Sequence, residues 1–150
     1  MKQWSKDTEI NAPINNVWEL FNGSLEDMQK IMPNVVENTP ITETVEGVGS
    51  VFRQKYQEGK RVQEYDVETL IYTDQPDYKE LKIGFTLARL SEITAHYELR
   101  KIDDETTFFR YTTTNRPLKW LLRILMPLVG DRVVVKFVDR VKRVAEEDNE

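Results

Sequence analysis

The sequence has no cysteine among its 150 residues and a single histidine, His96. The absence of cysteine excludes disulfide bonds, thiolate metal ligands and a cysteine nucleophile. One histidine removes most zinc-site and histidine-triad chemistry. We therefore expect neither a metal site nor a cofactor.

Long apolar runs and a basic excess are also missing. No segment reaches the roughly 18 apolar residues of a spanning helix, since the nearest, Trp120 to Val129, is short and contains Arg123 and Pro127. The N-terminus, MKQWSKD, lacks the apolar core of a signal peptide. The net charge of −5 favours solubility and disfavours nucleic-acid binding. We expect a cytoplasmic, single domain over residues 1–150.

The first third of the chain predicts a strand and two short helices. Residues 3–10 alternate as in a strand. Pro13 is typical of a first helical turn, with Asn11 or Ala12 near its cap. Asn22-Gly23 ends this helix, and Ser24 caps a second one from Leu25 to Met32.

Strand patterns then follow one another from Val35 to Asn115, separated by turns. The turns fall at residues 47–49, 58–60, 74–77 and 103–105, and residues 88–90 predict a less regular connection. Such short links require antiparallel pairing. The strand from Arg61 to Tyr72 would be about 40 Å long. Long strands twist and curl, and the concave face of a curled sheet must be filled.

A final helix, from beyond Gly130 to about Glu147, is predicted to fill it. Its apolar stripe consists of Val134, Phe137, Val138, Val141, Val144 and Ala145. The opposite, charged face is expected to carry Lys136, Asp139, Arg140, Lys142 and Arg143. The sequence thus predicts an α+β fold, with a long curved antiparallel sheet wrapped around a C-terminal helix.

Three segments carry a resemblance to a known family. Residues 10–18, INAPINNVW, resemble the opening I-x-A-P-x-x-x-V-W of the helix-grip superfamily. Residues 46–50, EGVGS, resemble its G-x-G entry into the strand after the second helix. The third segment runs from Arg116-Pro117-Leu118, which resembles the start of the family's hydrophobic pre-helix region, to Ala145-Glu146-Glu147. Residues 141–146, VKRVAE, resemble the family's L-K-x-x-x-E ending, with valine for leucine.

That superfamily includes the birch-pollen allergen, the steroidogenic lipid-transfer (START) domains and polyketide cyclase/dehydrase-like bacterial proteins. The resemblance spans essentially the whole chain. It implies the helix-grip fold and a pocket between the sheet and the C-terminal helix. It implies no activity, because the superfamily hosts binders, transporters and a few enzymes, and no catalytic motif carries over.

Strand parity predicts which side chains face the concave side. The inward set is Phe52, Gln54, Tyr56, Gln63, Tyr65, Val67, Thr69, Ile71, Leu81, Ile83, Phe85, Ile93, Ala95, Tyr97, Leu99, Phe109, Tyr111 and Thr113. In the first of these strands, Val51, Arg53 and Lys55 are the alternative inward residues. Many residues of the inward set carry hydroxyls or amides, which suit a cavity holding water or ligand. The alternative is that the tyrosines bond one another or reach solvent at strand ends.

From these faces we predict a ligand-binding set. It consists of Phe52, Tyr56, Tyr65, Val67, Phe85, Tyr97, Tyr111, Trp120, Phe137 and Val141. Residues 118–129 would form a lid over the cavity, make transient membrane contact through Arg116, Lys119 and Arg123, or pack into the core. The sequence leaves these options open.

Catalytic residues are not identifiable. His96 falls on the charged outer face, and Arg53 is more typical of an exposed strand arginine than of a partner for a ligand carboxylate. The leading prediction is a binder or carrier of a small hydrophobic ligand: a lipid, polyketide or aromatic metabolite. The alternatives are a cyclase/dehydrase-type enzyme and a protein-interaction module of the heat-shock-ATPase activator type. The oligomeric state stays open.

Overall fold

The structure, a computed structural model, describes residues 1–87, 91–118 and 130–149. In chain order the elements are β1 (Lys2–Ile10), α1 (Ile14–Asn22), α2 (Leu25–Ile31), β2 (Val35–Thr42), β3 (Val51–Glu58), β4 (Arg61–Asp74), β5 (Tyr78–Leu87), β6 (Ser91–Asp103), β7 (Thr106–Pro117) and α3 (Asp131–Asp148). The predicted α+β arrangement is confirmed. Among the helices described, none has the length and apolarity to cross a membrane.

The seven strands form one antiparallel sheet in the order β1-β7-β6-β5-β4-β3-β2. Strands β2 to β7 are therefore a simple meander, and β1 is added beside β7. This order makes β1 and β2 the two edge strands, so the α1–α2 segment connects opposite edges of the sheet. Helix α1 contacts β6 and β7, while α2 contacts β2 and α3.

The turns predicted at residues 47–49, 58–60, 74–77 and 103–105 are confirmed, as is the cap of α2, whereas the connection predicted at residues 88–90 lies outside the described residues. Gly59 has a φ of 61° in the β3–β4 hairpin, and Gly47 and Gly49 each have a φ of 87° before β3. Glycine adopts these values at little steric cost because it has no Cβ. The Ser24 hydroxyl accepts a hydrogen bond from the Asp27 backbone N–H at 3.1 Å.

The predicted cap of α1 is wrong. Pro13 occupies the N-cap position, and the helix begins at Ile14. The backbone N–H of Asn11 instead donates to the Glu146 carboxylate of α3 at 2.8 Å, and Ala12 is completely buried. Tertiary contacts thus hold the two residues that local capping preferences favoured: Asn11 is bonded to the C-terminal helix, and the Ala12 carbonyl accepts a hydrogen bond from the Thr107 hydroxyl of β7.

A β-bulge at Leu70 reverses the alternation of β4. Before it, Thr69 pairs with Ile83; after it, Ile71 pairs with Lys82, and Tyr72 pairs with Leu81. Directly paired residues share a face of the sheet. Tyr72 therefore faces inward, and the prediction that Ile71 does so is wrong.

Helix α3 presents two adjoining stripes to the interior. Val134, Val138, Val141 and Ala145 are buried in the main core. That core also contains α1 side chains such as Val17 and Phe21, and sheet residues such as Ile10, Leu99 and Phe109. Val133, Phe137 and Arg140 form the second stripe, which borders a cavity.

Candidate ligand-binding cavity

A cavity of about 790 Å³ lies between the inner face of the sheet and the helices α1, α2 and α3. Pockets for small molecules span about 300–1,000 Å³. The predicted ligand-binding residues that line this cavity are Phe52, Tyr56, Tyr65, Val67, Phe85, Tyr97, Tyr111 and Phe137. The structure places Val141 in the core rather than at the cavity. Trp120 and the rest of residues 119–129 lie outside the described residues.

Stacked aromatic pairs form flat walls of the cavity. Tyr97 and Tyr111 stack with their centroids 5.4 Å apart and their planes 11° from parallel. Tyr65 and Phe85 stack at 4.8 Å and 21°. Phe137 of α3 lies 4.8 Å from the Tyr111 ring, at 57°. These surfaces suit a ligand with a planar, apolar body.

Some of the cavity hydroxyls are satisfied by the protein itself. The Tyr56 hydroxyl accepts a hydrogen bond from Asn34 Nδ2 at 3.1 Å, and the Tyr72 hydroxyl accepts one from Asn22 Nδ2 at 3.1 Å. The Thr113 hydroxyl donates to the Thr94 carbonyl at 2.8 Å. These hydroxyls therefore form hydrogen bonds within the protein and do not require a ligand or water as a partner.

The hydroxyls of Tyr65 and Tyr97 differ from these. Within the described part of the chain, neither hydroxyl has a hydrogen-bond partner. Both residues line the cavity. Their hydroxyls are therefore available to a ligand or to water in the cavity.

Burial keeps these tyrosines in their neutral form. Burial, followed by the charge of Tyr56, raises the pKa of Tyr65 to about 12. Burial, followed by the charges of Tyr111 and Tyr65, raises the pKa of Tyr97 well above its usual value. Burial also raises the pKa of Tyr111, against the effect of a hydrogen bond with Thr113. At neutral pH these phenols can donate hydrogen bonds but do not act as phenolate bases.

No protein-family model matches the sequence, and no curated protein matches it significantly. Solved structures match over nearly the whole chain. A Streptomyces sp. R1128 aromatase/cyclase, ZhuI, superposes with a TM-score of 0.75 at 14% identity, covering 99% of this chain and 96% of that one. Major latex-like protein 151 of Panax ginseng gives 0.66 at 18% identity, with 99% and 97% covered. The chain has the helix-grip fold.

The norcoclaurine synthase of Thalictrum flavum, solved with dopamine and hydroxybenzaldehyde, shows the same helix-grip architecture. Its TM-score is 0.65 at 15% identity, covering 99% of this chain and 88% of that one. Identities this low show a shared fold and nothing further. The fold predicted from the three sequence segments is thereby confirmed.

Asn38 is a polar group of the helix-grip cavity that the sequence analysis missed. It lines the cavity from β2, and its side-chain oxygen is buried without a partner among the described residues. Leaving such an acceptor unpaired costs about 1–3 kcal/mol. A ligand donor or a water molecule would remove that cost. Two register shifts in β2, between Val35 and Glu37 and between Pro40 and Thr42, hide its orientation from a parity argument.

Arg140 also differs from its predicted placement. It was expected on the charged outer face of the last helix, but it is half-buried and lines the cavity. Of the described lining residues, only Arg140 and the exposed Glu43 carry a formal charge. The spacing of Val133, Phe137 and Arg140, which puts all three on one helical face, was the available signal.

The remaining charged candidates lie on the outer face of the sheet, as predicted. His96 Nε2 lies 2.7 Å from Glu80 Oε2, and the two side chains are largely covered. Glu98 is their neighbour, with ligating atoms of the three residues within 4.8 Å of one another. Arg53 is exposed and pairs with Asp66 at 3.0 Å. None of these five residues is among those that line the cavity.

Proposed function

We propose that this helix-grip chain binds and carries a small hydrophobic ligand with a flat, apolar body. The observation that carries the proposal is the cavity of about 790 Å³, walled by stacked aromatic rings. The hydroxyls of Tyr65 and Tyr97, which have no partner among the described residues, provide a few polar contacts within an apolar surface. That combination is the usual form of a small-molecule site. The norcoclaurine synthase neighbour, which holds dopamine and hydroxybenzaldehyde, supports an aromatic ligand.

A cyclase-type enzyme is the second candidate, because two of the structural neighbours are an aromatase/cyclase and a synthase. General acid–base catalysis works best with a group whose pKa lies near the working pH. The described lining residues include no histidine, lysine or aspartate, their one glutamate, Glu43, is exposed, and burial raises the pKa of Tyr65 and Tyr97 away from neutrality. The chemistry of the lining thus favours binding over catalysis. No specific observation favours the interaction-module alternative.

Native mass spectrometry tests the proposal first. The protein is purified from its own host, and any bound molecule is extracted with organic solvent. We expect a stoichiometric apolar passenger. If the protein is empty and also fails to take up the uncharged fluorescent probe N-phenyl-1-naphthylamine, the binding proposal is wrong.

A matched pair of variants locates the binding. Ile83 lines the cavity from β5, whereas Ile102 on β6 is 48% exposed. Ile83→Trp should fill part of the cavity and reduce uptake of the probe at least about tenfold through overpacking. Ile102→Trp adds the same ring at the surface and should leave uptake unchanged. Equal effects of the two substitutions would place the binding elsewhere.

The role of residues 118–129 and a cytoplasmic location are further proposals. A lid role predicts that Trp120→Ala weakens binding of the uncharged probe more than it lowers the melting temperature. An equal loss in both would favour the core alternative. Vesicle co-sedimentation with anionic lipids would test the transient membrane contact.

A further inference from the structure

Arg140 is placed where a ligand in the cavity would meet it. It lies three residues after Phe137 and seven after Val133, so the three side chains share one face of α3. All three line the cavity. Phe137 in turn contacts the stacked tyrosines Tyr97 and Tyr111, at 6.0 and 4.8 Å between ring centroids. The guanidinium is therefore part of the same lining as the aromatic surface.

The helix itself offers Arg140 no counter-ion. Lys142 and Arg143 each pair with a glutamate four residues later, Glu146 at 2.7 Å and Glu147 at 3.8 Å. The residue four positions after Arg140 is Val144, and the residue four positions before it is Lys136. No carboxylate of the described residues forms an ion pair with Arg140.

Among the described residues, Arg140 makes one weak hydrogen bond. Its Nη1 donates to the backbone carbonyl of Ile31, at the end of α2, at 3.4 Å. A guanidinium carries five N–H donors in a planar fork. A cation at a helix C-terminus is favourable, but this contact occupies only one donor. The remaining donors, on a half-buried charge, are matched best by the two oxygens of a carboxylate.

We propose that the ligand of this cavity is an acid, whose carboxylate binds Arg140 while its apolar body lies against Phe137 and the stacked tyrosines. The inference rests on the proposed ligand-binding function and narrows it to amphipathic, carboxylate-bearing molecules. Arg140 is then the residue that selects acids over neutral analogues. Nothing in this role requires a reaction.

The test compares two fluorescent probes that share an aromatic body, 1-pyrenebutanoic acid and 1-pyrenebutanol. Both are titrated into the full-length protein at neutral pH. We expect the wild-type protein to bind the acid about tenfold or more tightly than the alcohol, as a charge-assisted hydrogen bond provides. In Arg140→Met the acid should lose this advantage, while the affinity for the alcohol stays the same.

Two further variants make the result specific. Arg143→Met removes an arginine from an exposed position of the same helix and should keep the wild-type preference. Arg140→Lys keeps the charge but loses the planar fork, so the preference should fall between the wild-type value and that of Arg140→Met. Thermal melts of all variants identify any that do not fold, and Arg140→Lys serves as the test if Arg140→Met does not.

The possible results distinguish a failure of the proposed role of Arg140 from a failure of the proposed ligand-binding function. If the wild-type protein binds both probes equally, or if Arg140→Met keeps the preference, the role of Arg140 is refuted and the binding function stands. If the wild-type protein binds neither probe, the binding function fails and the inference fails with it.

Discussion

Tyr97 of β6 and Tyr111 of β7 are direct partners across the sheet, and their rings stack at 5.4 Å. On its other side, the Tyr97 ring lies 4.5 Å from that of Phe21 in α1. Tyr97 is buried in the core and also lines the cavity. One aromatic ring thus connects the packing of α1 on the sheet with the proposed ligand surface.

Two substitutions of Tyr97 should distinguish the contribution of its ring to stability from that of its hydroxyl. Tyr97→Ala removes a buried ring from an aromatic cluster and should lower the free energy of unfolding by about 3–5 kcal/mol. Tyr97→Phe keeps the ring and removes a hydroxyl that has no partner in the described protein, so the loss should stay below about 1 kcal/mol. Urea unfolding followed by circular dichroism measures both. Equal losses in the two variants would show that the hydroxyl has a structural partner.

Alkaline pH should destabilise the fold through the buried tyrosines. The pKa of Tyr65 is about 12 in the folded protein, above the value of about 10 for an unfolded chain. The raised pKa stabilises the folded state fully below pH 10, and this stabilisation is lost as the pH rises towards 12. Urea unfolding at intervals between pH 8 and 11.5 should show the decline, which Tyr65→Phe should reduce. Identical pH profiles for Tyr65→Phe and the wild type would contradict the assignment to Tyr65.

Gly47 and Gly49 provide a matched pair for the turn beside the cavity. Both have a φ of 87°, so alanine at either position should cost about 1–2 kcal/mol of stability. A Cβ at Gly47 would also lie 2.6 Å from Cγ of Tyr72, whereas a Cβ at Gly49 would meet only the Thr44 methyl at 3.5 Å. Gly47→Ala should therefore cost about 1–3 kcal/mol more than Gly49→Ala. Equal melting temperatures for the two variants would contradict the close approach of Tyr72.

Asn38 and Asn115 should respond oppositely to the same substitution. Asn115 is buried, and its side-chain oxygen accepts a hydrogen bond from the Ser91 hydroxyl at 2.8 Å. Asn115→Leu leaves that hydroxyl unpaired and should cost about 1–3 kcal/mol. Asn38→Leu removes an acceptor that has no partner in the described protein, so thermal unfolding should show unchanged or increased stability. A loss at Asn38 comparable to that at Asn115 would show that Asn38 has a partner in the protein.

Local sequence patterns predicted most of the elements and most of the cavity residues that β3 to β7 contribute. Turn residues such as Gly59 and the capping serine Ser24 affect only the backbone within a few residues of themselves. A short window of sequence is therefore sufficient to predict the turn or the cap. Strand parity likewise placed Tyr97 and Phe85 on the inner face, because alternation is a property of the extended backbone. These inferences needed no knowledge of distant contacts.

The errors arise where distant parts of the chain meet. The bulge at Leu70 turned Ile71 outward and Tyr72 inward, and no residue in β4 marks it. The Glu146 carboxylate accepts a hydrogen bond from the backbone N–H of Asn11, 135 positions away along the chain, and α1 is capped at Pro13. In each case a tertiary contact or pairing register overrides a local preference.

The sequence by itself determined the order of the strands and helices, the inward aromatic residues and the absence of cysteine chemistry. Only the tertiary structure decided that Arg140 borders the cavity and that Asn38 has no partner among the residues the structure describes. Hydrophobic periodicity reports how a segment divides between buried and exposed faces. It does not distinguish a buried face that meets protein from one that meets a cavity, because that difference depends on what the other elements bring to the opposite side.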